Sequence, residues 1–550
     1  MEHAALHGAQ LLGLLLSLAA PLLALAVLRP ARGGEHATRE RATAIARSLA
    51  LWTARAAALA AVATAANLVV SVAELDGRSA LAGADPATVA RFATTTAVGR
   101  LAVLRSLLLV ASALAARSLG RARDPLDRTG AWVLLACLAL PAIVTSALVS
   151  HAAALPAGRT TAIAGQVVHL VCAAAWIGAV LHLALARRLL SSPGDPASVV
   201  LASRVLRRFS PVALAAAGLL GLTGVRAAWL TLSSPASIAT SAWGLTLLVK
   251  LGLLLPVVAA GWTNWRVVGP ALDRASRDGT PCGDVLRTFD RALELEATAA
   301  LLAIAVAGIL GSVSPPDPSG AGRLSPEQLR AASTPRLPRV PVVDPSTWVG
   351  SATRTDDDLR YSEFMHAGAG LVVVLLGAAW MMQARGAGAG ARAGSLWPLA
   401  LVPFAAFIAI ASDPEVWPMG NVPRLEALRD PTVLEHRLGA LLVIVLAALG
   451  LREERRGGDD RPLGRALPLL MIVGSLLLLG HAHSSFGTSE SLGTLIDVQH
   501  AVMGGLGLAA GVVRWLDLRG LFPHRVARVL WPSLVIALGV AMAIFYRELV

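Results

Sequence analysis

Long apolar segments repeat along the whole chain, and they constrain its fold more than any other feature. A stretch of about 20 mostly apolar residues can cross the hydrocarbon core of a bilayer as one helix. About 14 such segments are separated by polar loops, so the sequence predicts an all-α polytopic membrane protein with about 14 transmembrane helices. The predicted spans are 8–28, 48–73, 96–116, 130–150, 161–185, 210–231, 243–264, 294–312, 366–384, 396–411, 432–451, 465–482, 493–514 and 529–546.

The charge composition supports a membrane protein and argues against a nucleic-acid-binding one. Only 15% of the residues are charged, whereas about 25% are charged in an average soluble protein. The net charge of +13 comes mainly from arginines in the loops between apolar segments, where basic residues orient transmembrane helices. We therefore expect the lipid bilayer, and no nucleic acid, as a partner.

The loop charges predict the orientation of the chain. Basic loops alternate with neutral or acidic ones, beginning with the five-arginine loop after the first apolar segment. Basic loops face the cytoplasm, so both termini are predicted to face outward. In this topology a Pro-rich segment, 316–362, is an outer linker. It separates an N-terminal membrane domain of about eight helices, 1–315, from a C-terminal domain of about six, 363–550.

Similar segments recur in the same order in the two halves and predict a parallel internal duplication. SHAAAL at His151 resembles GHAHSS at His481, and VVHLVCAAAW at His169 resembles VQHAVMGGLG at His500. The spacing between the two histidines is nearly the same in each half. Two further pairs, around His7 and His366 and around 99 and 436, complete the series.

Histidines concentrate on one predicted face. Of the twelve, His36 and His524 lie in predicted cytoplasmic loops and His182 lies near a cytoplasmic helix end; we assign these no function. The remaining nine lie at or near outer helix ends. Polar residues do collect at helix ends, but histidines without a function should occur on both faces. His169 and His500 are predicted about two helical turns inside the membrane, where a polar side chain usually faces a partner or a cavity.

Imidazole is the commonest protein metal ligand and suits copper, iron and zinc. The residues predicted to bind metal are His151, His169, His366, His436, His481, His483 and His500. Possible auxiliary residues are His7, Met365, Met503 and Asp497. The thioethers would favour Cu(I), and Asp497 could fix the tautomer of His500 from one turn away.

Known catalytic motifs are missing from the sequence: there is no P-loop, no HExxH and no acyl-transfer set, so we do not expect an enzyme. The inner halves of the predicted helices contain few possible metal ligands. Glu296 lies near the cytoplasmic start of the eighth span, and a solvated helix N-terminus explains it as well as any function.

Several motifs in order resemble the copper resistance protein D (CopD) family. They are a histidine followed after seven residues by Trp-x-Gly (His169, Trp176 and Gly178), and then the RFS, LTG and LLVK elements. The resemblance covers about 145–315, and YSEFMHAGAGL and the final FYRE are similar to the extension of longer members. Many relatives carry two adjacent histidines where this chain has Met365 and His366. The resemblance adds Trp176 to the auxiliary residues.

The resemblance implies a multi-pass protein of the bacterial cytoplasmic (inner) membrane. Such a protein takes copper from the periplasm and moves it inward or supplies it to cuproenzymes, in copper homeostasis or resistance. No soluble copper-binding β-domain is fused to this sequence, so any periplasmic copper carrier would be a separate protein.

Two other functions remain open on the sequence alone. Histidines on facing helices also hold haem b, so the chain could be a membrane cytochrome or electron-transfer protein that uses the same residues. It could also be an assembly or sensory protein without transport activity.

Overall fold

The structure is a computed structural model that describes residues 2–75, 84–155, 158–192, 195–280, 282–317, 319–320, 322–337, 340–341, 355–384, 395–428, 430–456, 464–481 and 490–548. Helices dominate these ranges, and the strand-like feature found in them is one isolated bridge between Val416 and Val422. The predicted all-α membrane fold is therefore confirmed.

Twelve helices in the described ranges are long and apolar enough to cross a membrane. Two shorter apolar helices, Trp397–Ala411 and Ala466–Gly480, occupy the remaining predicted spans; that they cross the bilayer stays a prediction. In chain order the helices are α1 His3–Ala31, α2 His36–Ala73, α3 Ala97–Arg121, α4 Thr129–Ala147, α5 Arg159–Leu185, α6 Pro196–Thr231, α7 Ala242–Asp278, α8 Gly283–Leu310, α9 Asp356–Ala384, α10 Trp397–Ala411, α11 Val433–Arg452, α12 Ala466–Gly480, α13 Ser491–Leu518 and α14 His524–Phe545.

Helix α1 forms the centre of the N-terminal bundle. It packs against α2, α4, α5 and α8, and several of its leucines, such as Leu14, are fully buried. Small residues allow the close packing: a Cβ at Gly308 of α8 would lie 2.6 Å from the carbonyl oxygen of Ala4. Such approaches are typical of helices packed inside membranes.

The outer surface of the bundle is apolar rather than polar. The most exposed large apolar side chains of the described residues include Leu222, Val225 and Trp229 on α6 and Leu255 on α7. In water such a surface would be an aggregation risk, but in a bilayer it contacts lipid tails. This distribution is the one that a polytopic membrane protein requires.

The two halves of the chain contact each other through four helices. Helices α7 and α8 pack against α12 and α13, with Ala303, Val306, Ile472 and Leu508 in one shared apolar cluster. In the C-terminal half, α9 pairs with α14 and α10 with α11. Between the halves, a short helix, Pro326–Ser333, begins with a capping box formed by Ser325 and Gln328.

Candidate metal centre

Four histidines of the C-terminal half lie side by side. The ring centroids of His436 and His481 are 5.6 Å apart, those of His481 and His500 are 5.1 Å apart, and those of His500 and His366 are 5.6 Å apart. Helices α11, α13 and α9 supply His436, His500 and His366, and His481 directly follows the last residue of α12. We call these four residues the histidine row.

Exposure falls over the first three rings of the row and is higher again at the fourth. The side chain of His436 is 26% exposed, that of His481 is 9% exposed, His500 is 1% exposed, and His366 is half-buried. The imidazoles therefore lead from the surface into the helix bundle, on the side that the loop charges predict to face outward.

The Nδ1 atom of each ring in the row is hydrogen-bonded to a protein oxygen. His436 bonds to Asp413 Oδ1 at 2.7 Å, and His481 bonds to Glu435. In the other two rings the partner is the carbonyl oxygen four residues earlier: His366 Nδ1 lies 2.8 Å from that of Ser362, and His500 Nδ1 lies 2.9 Å from that of Ile496. These contacts fix the ring orientation, so a metal bound to the row would use Nε2.

The entrance to the row is acidic. Asp413 and Glu435 bond to its two outer rings, and Arg437 also bonds to Asp413, at 2.9 Å. Burial, with the neighbouring Asp413 and Asp430 carboxylates, raises the pKa of Glu415 in the same loop. Carboxylates at the mouth of a cleft attract cations from solution. Sequence reasoning missed both ring partners, although DPTVLEHRL already places Glu435 beside His436.

The chain segment after α14 covers the His366 end of the row. Tyr546 stacks on His366 with ring centroids 3.8 Å apart, and its hydroxyl donates a 2.6 Å hydrogen bond to Glu548. The backbone N–H of Arg547 donates to Gln499 Oε1 at 2.7 Å, next to His500. The FYRE motif noted in the sequence is therefore part of the site.

The row is a series of neighbours and not one converged ligand set. Among the described residues, no group of three or more His, Cys, Asp or Glu side chains is arranged to hold a metal ion. The geometry therefore offers successive pairs of imidazoles. Of the other residues proposed for this half, His483 lies outside the described residues.

The auxiliary residues of this half occupy varied positions. Met365 and Met503 are buried on α9 and α13, beside His366 and one turn after His500. The sequence suggested that Asp497 could bond to His500. In the structure the Nδ1 of His500 hydrogen-bonds to the carbonyl oxygen of Ile496. The ligand roles of the methionines stay predictions.

The histidines of the N-terminal half have different surroundings. His7 lies against Gly311, and Arg105 and His151 are within electrostatic range of it. Arg105 is buried and donates hydrogen bonds to Gln10 Oε1 at 3.2 Å and to the Thr145 carbonyl at 2.9 Å. A buried guanidinium repels a metal cation, so this group is less suited to copper than the histidine row.

His169, predicted to act with His151, packs elsewhere. Its Nδ1 lies 2.9 Å from Thr223 Oγ1 on α6. The charge of Lys250 on α7 acts on its imidazole electrostatically. The contacts found for His169 and His7 thus come from different helices. Trp176, on α5, is buried and hydrogen-bonds to Glu296 rather than to a histidine.

One interpretation from the sequence is wrong. Glu296 is 4% exposed inside the N-terminal bundle and not at a solvated helix end, because α8 extends well beyond the apolar segment, to Gly283. His182 lies near the end of α5, as predicted, and is buried there, where its Nε2 bonds to the Leu16 carbonyl at 3.0 Å.

Comparison with known proteins agrees with the resemblance noted in the sequence. Residues 203–310 match the family model described as copper resistance protein D, and residues 3–161 match that of the copper resistance protein D-like N-terminal domain. The predicted resemblance to this family is therefore confirmed. The histidine row lies outside both matched regions.

A curated relative is the copper transport protein CutJ of Bacillus subtilis (strain 168), which is 28% identical over 226 residues. The alignment covers 41% of this chain and 38% of CutJ, so well under two thirds of that relative is matched. No solved structure matches the chain.

Proposed function

We propose that this membrane protein, with its copper resistance protein D-like regions, takes up copper from the outer side through the histidine row. Copper would enter at His436 and pass by way of His481 to His500 and His366. The protein would then move it inward or supply it to cuproenzymes, as a transporter and not an enzyme. The matched family models and the similarity to the copper transport protein CutJ support copper as the cargo.

The exposure gradient along the row is the observation that carries this proposal. Imidazoles that become steadily more buried can replace the hydration shell of an ion stepwise as it leaves water. Adjacent imidazoles suit copper, and the buried Met365 and Met503 offer thioethers near the deep end that favour Cu(I). The acidic residues at the entrance would concentrate the cation there.

The spacing of the rings supports copper over haem. Neighbouring rings of the row are 5.1–5.6 Å apart and meet at steep angles, as His366 and His500 do at 80°. A haem held by two histidines lies between their rings, and these rings contact one another directly. The same four residues therefore fit a copper path better than a haem b site.

The location and partners follow from the same proposal. The protein would lie in the bacterial cytoplasmic membrane, with the row facing the periplasm. A separate periplasmic protein would deliver copper to the acidic loop that contains Asp413 and Glu415.

Metal analysis of the purified full-length chain tests the proposal. Protein prepared in detergent, without chelator or metal-affinity tag, is loaded with Cu(I) under ascorbate, desalted, and measured for copper and iron per chain. We expect copper without iron, and at least a fivefold loss of copper in His500→Ala and His481→Ala. His36→Ala, at an exposed histidine far from the row, is the matched control.

Equal copper in wild type and both row variants would overturn the assignment of the row. Stoichiometric iron with a haem absorption band would favour the cytochrome instead. Uptake of Cu(I) into liposomes by wild type, and not by His500→Ala, would support transport over simple binding.

A further inference from the structure

A second polar cluster lies inside the N-terminal bundle, away from the histidine row. Glu296 of α8 is 4% exposed and Asn264 of α7 is 5% exposed, and Trp176 of α5 is also buried. Asn264 Nδ2 donates to Glu296 Oε2 at 3.4 Å, and the Trp176 side chain hydrogen-bonds to the same carboxyl group. Three helices thus converge on one buried carboxyl group.

The carboxyl group is buried near the middle of a long helix. Glu296 lies close to the centre of the 28-residue helix Gly283–Leu310, or about 20 Å from either end at 1.5 Å per residue. Ionisable residues buried inside a membrane helix bundle are costly and commonly mark the path of an ion or a proton. No ion pair of Glu296 is formed within the described part of the chain, so it does not serve to neutralise a buried cation.

His182 lies at the same depth. Helices α1 and α8 are antiparallel and are in close contact at Ala4 and Gly308. Twelve residues after Ala4 on α1 is Leu16, and twelve residues before Gly308 on α8 is Glu296, so the two lie at similar height. The Leu16 carbonyl accepts the hydrogen bond of His182 Nε2. Glu296 and His182 are therefore placed at one level, with α5 supplying both His182 and Trp176.

Two buried polar atoms at this level have no hydrogen-bond partner among the described residues. They are Asn264 Oδ1 and His182 Nδ1. Buried polar atoms are nearly always satisfied by protein or by ordered water, so both atoms call for a small polar ligand. Because the amide that binds Glu296 also carries the unpartnered Oδ1, that ligand would lie beside the carboxyl group.

The backbone is also irregular at this cluster. Trp176 lies in the π-helical turn Ala174–Gly178 of α5, and Asn264 begins the π-helical turn Asn264–Val268 of α7. Opposite Glu296, α7 has Gly261, where a Cβ would come within 3.3 Å of Glu296 Oε1. Single π-helical turns are frequent at functional sites. Here both side chains that donate hydrogen bonds to the carboxyl group lie in such turns.

We propose that Glu296 is a proton-exchange site inside the N-terminal bundle and that its protonation accompanies copper movement. This inference rests on the proposed function. Water held by Asn264 Oδ1 would take the proton from the carboxylic acid, giving hydronium and a carboxylate that Asn264 and Trp176 stabilise. Reprotonation from water on the other side would complete the exchange.

A proton fits this cluster better than copper does. The groups that meet at Glu296 are a carboxyl, an amide and an indole N–H, and oxygen donors suit hard cations. Copper prefers imidazole and sulfur, which the histidine row and its neighbouring methionines provide. The cluster therefore differs in chemistry from the cargo site and would serve to couple it.

Liposomes that contain the full-length chain, a trapped pH dye and a trapped copper chelator test the inference. Cu(I) is added outside. In wild type we expect copper entry and a change of internal pH in a fixed ratio. In Glu296→Gln we expect the pH change to fall at least tenfold, while the copper bound in detergent stays at the wild-type level. Asp284→Asn, at an exposed carboxylate on the same helix, is the matched control.

A second measurement keeps the two proposals separable. A potassium diffusion potential, without copper, drives protons alone. We expect wild type to carry more protons than Glu296→Gln, with Asn264→Ala intermediate. Equal proton flux in wild type and Glu296→Gln, or copper entry without any pH change, overturns the proton site. Absence of copper entry in wild type, with the proton flux intact, overturns the transport function instead. Glu296→Asp, which keeps the carboxyl group, should restore part of the flux if Glu296→Gln folds poorly.

Discussion

The imidazole of His366 lies parallel to the phenol ring of Tyr546, with an angle of 15° between the two planes. His366 lies in the first half of α9, and Tyr546 follows the π-helical turn Ala541–Phe545 at the end of α14. Residues 180 positions apart are thus joined at the His366 end of the histidine row. The segment that contains Tyr546 should therefore affect copper binding.

Substitution of Tyr546 should separate stacking from hydrogen bonding. In Tyr546→Phe the ring remains and the bond to Glu548 is lost, so we expect copper affinity within about twofold of wild type. In Tyr546→Ala the stack is lost, and about 1 kcal/mol of aromatic contact corresponds to about fivefold weaker binding. Competition with a calibrated Cu(I) chelator measures both. Equal affinity of the two variants would contradict a role for the ring.

Asp413→Asn should weaken copper binding about 10–100-fold, because an acceptor of this kind orients the imidazole and increases its basicity. Asp517→Asn is a matched control. Asp517 bonds to His524 Nδ1 at 2.8 Å in the same way, but this pair lies on the side of the membrane predicted to be cytoplasmic. The same chelator competition gives both affinities. Similar losses in the two variants would mean that Asp413 acts on stability and not on the row.

Copper retention should fall as the pH is lowered from 8 to 5. A metal needs the neutral imidazole, and protons compete for Nε2 below the ordinary histidine pKa of about 6.5. Binding is therefore present at high pH and lost through the histidine range, and it should return when the pH is raised again. Copper per chain after desalting at each pH measures this. A flat profile would contradict binding by imidazole.

Gly308→Ala should destabilise the N-terminal bundle by about 1–3 kcal/mol, since the new Cβ would overlap the backbone of α1 at Ala4 and Gly8. Gly252→Ala, at a position on α7 where a Cβ meets no other atom, is the control. Thermal unfolding in detergent compares the two. A melting temperature of Gly308→Ala equal to that of the control would show that this contact is not tight.

The membrane architecture could be predicted from the sequence because bilayer thickness imposes one length on every span. The apolar segments recovered twelve long helices and both short ones, although helices such as α6 and α7 extend well beyond the predicted spans. The grouping of four histidines was also predictable, because the alternating direction of successive helices places their helix ends on one side of the membrane. The four are His366, His436, His481 and His500.

The order and the partners of those histidines were not predictable in the same way. Which ring contacts which depends on how α9, α11, α12 and α13 pack, and apolar periodicity does not encode neighbours. Asp413 reaches His436 from the loop after α10. Glu296 was misjudged because burial at a helix–helix contact depends on the partner helix, and hydropathy along one segment cannot show it.

The falling exposure from His436 to His500 has a kinetic consequence. An ion shared between neighbouring imidazoles can gain the next ligand before it loses the last one, so each step is an associative ligand substitution. No step then requires a bare ion or a very tight complex. Throughput along such a row would depend on how fast the rings reorient, and a single high-affinity pocket at the same depth would retain its ion.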